Sequence, residues 1–429
     1  MVSGVILQLM TCNSQDVHIT GNPEITHFKS IYKQYTNFAI ETIEELFINT
    51  PNLPKTDTYN HRNVCKNRSV SCKLSKKGDL LKDVILELDI SIPVLLDSTI
   101  KLKDIFVKRP GLALIESVEL EIGGVIIDTL YGEWIDIYYQ LSKEENEYAK
   151  ITRLIDGSLR SDCMEDVVKM YIPIPFFFTK NIGLSLPLIA LEYNNVTIHI
   201  TFKNDLSIVK VDNYTDIVSK PKILNAKLLC NYIFLDINEK KHFYTQPLEY
   251  IIEQIQFSGN KTSCLDVPCA NINLLFHHTC KEIIWVCQDS SNINIGSYNP
   301  FCYSGEFNNK SVDILNNVEL IINNVKRFQK RDSSYFRIVQ PYQHHNGSLY
   351  NNKYNYEERG YIYSYSFSLY PDNSEPSGVC NFSRVSNCKL ICKINNQNIK
   401  GSHYSIRVYA VNYNILKCSK GMAHLVYTH

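Results

Sequence analysis

The chain reads as all-β, built from two β-sandwiches in tandem, and three observations predict this. Apolar and polar residues alternate over short runs from end to end, the period of a strand with one buried face. Aromatic residues reach 11%, with 28 Tyr and 18 Phe beside many Val, Ile and Thr, a composition suited to strands. A length of 429 residues exceeds one ordinary core and divides naturally into two sandwiches of ~200 residues each.

The alternation is clearest in DVILELDI (83–90), where Leu86, Leu88 and Ile90 alternate with Glu87 and Asp89. In SVELEIGGVIID (117–128), Val118, Leu120 and Ile122 alternate with Glu119 and Glu121 before Gly123-Gly124 supplies a hairpin turn. VTIHITF (196–202) buries Val196, Ile198, Ile200 and Phe202, leaving His199 on the wet face. In GYIYSYSFSLYP (360–371), Tyr361, Tyr363, Tyr365, Phe367 and Leu369 share one side and mainly serines the other. SIRVYAVNY (405–413) sets Ile406, Val408 and Ala410 inward against Arg407 and Tyr409 outward. Helix is scarce. One helix is predicted over 131–155, where Trp134, Ile137, Tyr138 and Leu141 share a face, and a short one near 29–35. The charge-rich stretch DINEKKHFYTQ (236–246) marks the break between sandwiches, and no internal repeat is visible. Long loops rich in Asn, Ser, Gly and Tyr, at 288–317 and 341–359, have the length of functional surface rather than of simple connectors.

Lys plus Arg, at 44, balances Asp plus Glu, at 44. A protein that coats nucleic acid needs a surplus of cations against phosphate, so no direct nucleic-acid partner is expected. The cluster KRFQKR (326–331) reads as a solvated strand end. Near-zero charge also leaves little repulsion between copies. The start, MVSGVILQLMTCNSQD, lacks a basic n-region, and no stretch approaches the ~20 apolar residues of a membrane span. Synthesis in cytosol is therefore expected, with the 14 cysteines mostly reduced.

The chemistry-bearing motifs are missing. There is no phosphate-binding glycine loop, nucleophile elbow or H-E-x-x-H, and no C-x-x-C. His277-His278 and His344-His345 are pairs whose members would point to opposite faces of a strand. His344 and His345 in a loop could meet one metal, but no acid or cysteine stands at a convincing spacing, and loop hydrogen bonding is the competing role. Glu119 and Glu121, about 7 Å apart by strand rise, have a glycosidase-like separation, but alternating acids are also what a wet strand shows. Neither an enzyme nor a bound cofactor or metal is expected. Of the Asn-x-Ser/Thr sequons, Asn309 and Asn346 lie in the long loops and are the candidates for glycosylation.

Near the C-terminus, SEPSGVCNFSRVSNCKLICK (374–393) crowds Cys380, Cys388 and Cys392 together. Cys388, Leu390 and Cys392 are two apart and share a strand face, so the cysteines read as small core residues rather than a metal knuckle. Pro376 and Gly378 make a turn, Asn381 and Ser383 are expected to bond local backbone, and Arg384 to pair with a nearby acid.

Several segments resemble the major capsid proteins of nucleocytoplasmic large DNA viruses. They are GNPEITHFKSIYKQYTNFAIE (21–41), VELEIGGVIIDTLYGEW (118–134), LPLIALEYNNVTIHITF (186–202), YIIEQIQF (250–257), FRIVQPYQHH (336–345), EPSGVCNFSR (375–384) and IRVYAVNYNILKCSKGMAHLVY (406–427), in the family's order. The resemblance implies a double jelly roll of two eight-stranded sandwiches with minor helical insertions. It divides the chain into an N-terminal arm (1–25), a first jelly roll (26–237) and a second (238–429). It makes Pro376, Gly378, Asn381, Phe382, Ser383 and Arg384 a structural motif leading from turn to strand. It also implies homotrimers of pseudo-hexagonal outline tiling an icosahedral shell in the virion, with neighbouring capsomers and minor capsid proteins beneath the shell as partners. A minor-capsid or scaffold paralogue is the alternative within that resemblance. Outside it, the competing class is a carbohydrate-binding or carbohydrate-cleaving sandwich.

Overall fold

The structure is a computed structural model that describes residues 3–11, 14, 16–30, 33–49, 68–92, 94–95, 105–157, 167–210, 217–264, 269–293, 299–307, 310–347 and 360–428. Met1–Phe38 and Ala39–His429 form two separate units. In the first, helix α1 (Ser3–Met10) and a short turn of helix at Val17–Thr20 carry exposed apolar side chains, among them Leu9, Met10 and Ile19. The helix expected near 29–35 is not formed in the described residues there, where 33–37 are irregular.

The second unit repeats one strand order twice. Its first half contributes β1 (Phe38–Leu46), β2 (Arg68–Lys73), β3 (Leu80–Ser91), β4 (Ile115–Ile122), β5 (Val125–Tyr131), β6 (Val167–Pro173), β7 (Val196–Phe202) and β8 (Ile223–Leu235). Its second half contributes β9 (Leu248–Cys264), β10 (Cys269–Asn273), β11 (Thr279–Asp289), β12 (Leu315–Ile322), β13 (Val325–Asp332), β14 (Ile362–Ser366), β15 (Cys388–Ile394) and β16 (His403–Ser419). The first half pairs as β1-β8-β3-β6 and β2-β7-β4-β5. The second pairs as β9-β16-β11-β14 and β10-β15-β12-β13, the same order shifted by eight. Two facing four-stranded sheets threaded in this order are a jelly roll, so the chain is a double jelly roll.

The repetition reaches the sequence itself, although the chain shows no repeat on first reading. Val118-Glu119-Leu120 and Val318-Glu319-Leu320 open the same V-E-L-x-I-x-x-V pattern across the β4–β5 and β12–β13 hairpins. Gly123-Gly124 and Asn323-Asn324 fill the two turn positions, all four with positive φ. Such tight hairpins need that conformation at both central residues, and Gly and Asn adopt it at least cost.

Strand burial follows the alternation on most strands. In β7 Val196, Ile198, Ile200 and Phe202 point inward, and in β15 Cys388, Leu390, Cys392 and Ile394 do. β11 and β16 break the pattern: nearly every side chain on both is buried. Ile283, Trp285, Ile406, Val408 and Ala410 face the core of the second jelly roll. Ile284, Val286, Tyr409 and Val411 face the other way and join a cluster that runs through the first jelly roll to Trp134 and Leu86. Tyr409 and Arg407 are therefore not solvent-facing, as one-sided alternation predicts, because a second layer of protein covers that face.

That layer includes α2 (Gly132–Ser142), followed by α3 (Glu145–Asp156). The single helix expected over 131–155 is broken at Lys143 and Glu144, which are extended. The break has a physical cause. Tyr148 of α3 reaches Asp136 of α2 with its hydroxyl at 3.3 Å, whereas twelve residues along a straight helix are about 18 Å apart. Buried Arg109 holds both, donating to the Asp136 carboxylate and to the Tyr148 hydroxyl.

Candidate functional site at the joint between the jelly rolls

Charged groups concentrate where the two jelly rolls meet. Glu133, at the start of α2, receives Arg407 from β16 in a two-pronged contact, Nε to Oε2 at 2.7 Å and Nη2 to Oε1 at 2.6 Å. The Tyr409 hydroxyl donates to Glu133 Oε2 at 2.6 Å, and Arg407 Nη2 donates to Gln288 Oε1 at 2.6 Å. Burial pushes the Glu133 carboxyl up, but the Arg407 guanidinium and the Tyr409 hydroxyl outweigh it and hold it below the usual carboxylate range. Above this pair the Tyr409 ring packs on Trp134 at 5.3 Å and stacks on Phe257 at 4.8 Å.

A second cluster lies beside it. Glu253 of β9 takes Lys180 of the first jelly roll at 2.8 Å and also pairs with Lys281 of β11. Lys281 is only 3% exposed and donates as well to the Pro371 carbonyl at 2.6 Å. Burial raises the Glu253 carboxyl, yet the two ammonium groups bring it down to about 2. Asp128 of β5 differs. Its Oδ1 accepts backbone N–H groups from Thr129 and Ile255, both at 3.0 Å, but burial dominates and pushes the carboxyl up to about 7. The Ile255 contact joins β9 of the second jelly roll to β5 of the first.

His345 completes the joint. Its ring lies between Asp372, at 3.0 Å from Nδ1, and Glu282, at 3.3 Å from Nε2. Burial works against the imidazolium, but the two carboxylates prevail and raise it to about 9. Gly347 N–H donates to the Leu141 carbonyl at 2.7 Å, so the start of the 341–359 loop is fixed to α2. His344 is not in a loop as the sequence suggests but ends a short helix, Gln340–His344, with its Nδ1 at 3.1 Å from the Leu369 carbonyl.

These pairings can hold two folded halves in one orientation. They include no nucleophile beside a base. Glu119 and Glu121 lie on the half-exposed face of β4, where Glu121 is 2.9 Å from His199. Among the described residues no group of three or more His, Cys, Asp or Glu side chains is placed to hold a metal. Nor is any described helix long and apolar enough to cross a membrane. Burial raises the Cys388 thiol to about 12 and the Cys72 thiol to about 12, which leaves both protonated.

The turn-to-strand segment is built from backbone bonds. Asn381 Oδ1 accepts the Ser383 N–H at 3.0 Å, and Ser383 Oγ accepts the His278 N–H at 2.8 Å. Phe382 is buried, edge-on to Phe276 and Phe367. Pro376 and Gly378 are exposed turn residues; at Gly378, with φ +143°, an added Cβ would lie 2.6 Å from the Phe367 carbonyl oxygen. Arg384 departs from expectation. It is exposed, and no ion pair ties it to an acid among the described residues, because the turn points it into solvent. Asn346 is exposed, with its backbone N–H on Asp372 Oδ2 at 2.6 Å, while Asn309 lies outside the described residues.

The joint's residues were not legible as a site in the sequence. Glu133 and Asp128 read as ordinary polar positions, and Lys281-Glu282 as a polar interruption of an apolar strand. That interruption, TCKEIIWVC, was the one available signal: a strand that is apolar on both faces and still carries charge must pair it.

Comparison with known proteins decides what such a joint belongs to. A profile of the major capsid protein N-terminus matches residues 26–236, and one of the large eukaryotic DNA virus major capsid protein matches residues 239–424. The chain belongs to this capsid protein family. It is 32% identical to the major capsid protein of Pyramimonas orientalis virus and 30% identical to that of Paramecium bursaria Chlorella virus 1, with 100% of both chains covered in each case. Among solved structures, the quasi-atomic model of the PBCV-1 virus capsid aligns with a TM-score of 0.75 at 27% identity, covering 94% of this chain and 100% of that one. The Faustovirus major capsid protein, at 12% identity, shares the fold with a TM-score of 0.70 over 95% of each chain. In this capsid-family chain the joint welds one jelly roll to the next.

Proposed function

We propose that this chain is a non-catalytic building block of an icosahedral viral shell, assembling as a homotrimer with a pseudo-hexagonal outline. The observation that carries the reading is the twice-repeated strand order, fused by a sheet buried on both faces. Two similar sandwiches held rigidly side by side make six in a trimer, and a block of that outline tiles a hexagonal lattice. Residues 26–237 and 238–429 are the two jelly rolls, and 1–25 is an arm that ties neighbouring capsomers along the inner side. The exposed apolar side chains of α1 support an arm that finds its cover in another molecule. The stretches 288–317 and 341–359, of which 294–298, 308–309 and 348–359 lie outside the described residues, are assigned to the outer surface, and minor capsid proteins to the space beneath the shell. Shell contacts need only modest energy each, since a lattice sums many of them. The balanced net charge supports a shell without direct contact to nucleic acid. The chain is made in the host cytoplasm, and the turn-to-strand residues Pro376, Gly378, Asn381, Phe382, Ser383 and Arg384 serve architecture alone.

Sedimentation and cryo-electron microscopy of the purified chain test this: a compact trimer is expected, and the protein should dominate purified particles. A stable monomer that binds or hydrolyses glycans would overturn it, and a protein abundant during assembly but lost from finished particles would make it a scaffold.

A further inference from the structure

The Asp128 carboxylate is half used. Its Oδ1 accepts the Thr129 and Ile255 N–H groups, while Oδ2 accepts nothing among the described residues. The residue is 5% exposed and lines a cavity of about 280 Å³ between β5, β9, β16 and the end of the short strand Met422–Leu425. No cation pairs with it there. Lys180 acts on it only through space and is held by Glu253 at 2.8 Å. A buried polar atom is normally satisfied, so an unpartnered carboxylate oxygen on a cavity wall points to a partner from outside.

The amides of the same wall have spent their donors on one another. Gln256 Nε2 donates to the His277 carbonyl at 2.7 Å and to Asn412 Oδ1 at 2.9 Å. Asn414 Nδ2 donates to Gln254 Oε1 and to the Tyr427 carbonyl, both at 2.9 Å. Asn412 Nδ2 donates to Gln254 Oε1 and to the Tyr413 carbonyl, both at 3.4 Å. An amide has two N–H donors and an oxygen with two lone pairs. Gln256, Asn412 and Asn414 therefore have both donors engaged, yet each oxygen accepts one bond and keeps a lone pair. A ligand that supplies several donors and needs no acceptor of its own suits such a wall; an anion does not. The rim is apolar, with Val125 and Ile126 half exposed beside Leu425 and the Tyr427 ring.

We propose that this cavity binds a small primary alkylammonium ion, its NH₃⁺ head on Asp128 Oδ2 and its methylenes against Val125, Ile126 and Tyr427. The head brings three donors and no acceptor. The volume lies below the range of about 300–1,000 Å³ that takes drug-sized ligands, which suits a short chain. The charged and titratable groups around Asp128 are Lys180 and Glu253, which satisfy each other, Tyr131 on the same strand and His278 on the cavity wall. Burial raises the Asp128 carboxyl to about 7. The ion therefore meets a carboxylate above that pH and a neutral acid below it, so binding strengthens as pH rises through 7. The site does not depend on the trimer reading.

Titration calorimetry of the full chain with n-butylamine, a cation at both pH 5 and pH 8, tests it. Saturable binding is expected at pH 8, weaker by at least about tenfold at pH 5 as Asp128 takes up its proton. Asp128→Asn keeps an oxygen for the two backbone N–H groups and should lose binding by at least about tenfold at pH 8, with circular dichroism reading its fold. The pH comparison reads the same carboxylate in the wild-type chain, so the test stands even where the variant misfolds. His278→Gln should keep the pH dependence. Nα-acetyl-lysine methylamide carries the same head on a peptide unit: tighter binding than n-butylamine assigns the site to a lysine side chain, weaker binding to a free amine, and either upholds it. Four results overturn the proposal: no saturable heat with n-butylamine at pH 8, equal affinity at the two pH values, 1-butanol binding as tightly as the amine, or a folded Asp128→Asn that binds like wild type. Loss of the pH dependence in His278→Gln overturns it as well, because the titrating group is then not Asp128.

Discussion

Replacing Arg407 by methionine removes one side of the Glu133 contact and leaves a carboxylate facing a buried joint. Glu133 and Arg407 side chains are 14% and 11% exposed, so water can compensate little. Removing one partner of a buried pair costs about 3–5 kcal/mol, mostly because the other charge is stranded. Unfolding entropy of about 2.1 cal/mol/K per residue gives about 0.8 kcal/mol/K for the Ala39–His429 unit. The Tm of R407M should therefore fall by about 4–6 °C in calorimetry at fixed protein concentration. The paired variant E133Q/R407M should recover at least half of the loss, since an uncharged pair of similar volume strands nothing and the Tyr409 hydroxyl keeps an acceptor. The pH profile adds a check. Glu133 is depressed in the fold, so its contribution is present above the unfolded carboxylate pKa and fades as pH falls toward its lowered folded value. A Tm for R407M within about 1 °C of wild type, or a double variant as unstable as the single one, would refute the claim that this pair locks the joint.

Other consequences follow from the same residues. Burial raises the Asp128 carboxyl from 3.8 to about 7, so between these values the group keeps its proton when folded and loses it when unfolded. Stability from this group is therefore full below pH ~4 and declines as pH rises to about 7, so Asp128→Asn should match wild type in urea melts at pH 4 and exceed it at pH 8, on the order of 2–4 kcal/mol. His345 is raised to about 9, so its contribution is full below pH ~6.5 and is lost as pH rises through 9. Hydrogen exchange at 340–347 should quicken between pH 7 and 10 beyond the intrinsic rate, and His345→Ala should remove that extra dependence. Gly378→Ala should cost about 1–3 kcal/mol in chemical denaturation, because φ +143° strains any L side chain and the new Cβ meets the Phe367 carbonyl; a neutral effect would mean that the turn relaxes freely.

The amino-acid sequence by itself determined the strands, because a period of two along a half-buried surface is a local property. DVILELDI, VTIHITF and VSNCKLICKI each declare an inner and an outer side, and the structure agrees with all three. The cysteines of β15 were readable as core for the same reason. Hairpin turns were legible at Gly123-Gly124, although their echo at Asn323-Asn324 passes unnoticed until the two halves are overlaid, since Gly and Asn satisfy one backbone need with different letters. What only the tertiary structure decided is the fate of each outer side. Arg407 and Tyr409 look solvated in SIRVYAVNY, and Lys281 interrupts the apolar run of TCKEIIWVC. They are buried because another jelly roll lies over them, and no local pattern records what will cover a face. The break between α2 and α3 has the same origin: helical periodicity runs through Lys143, but Arg109 draws Asp136 and Tyr148 to one point. Local alternation specifies strands. Long-range contact decides which of their faces meet water and which meet the partner jelly roll.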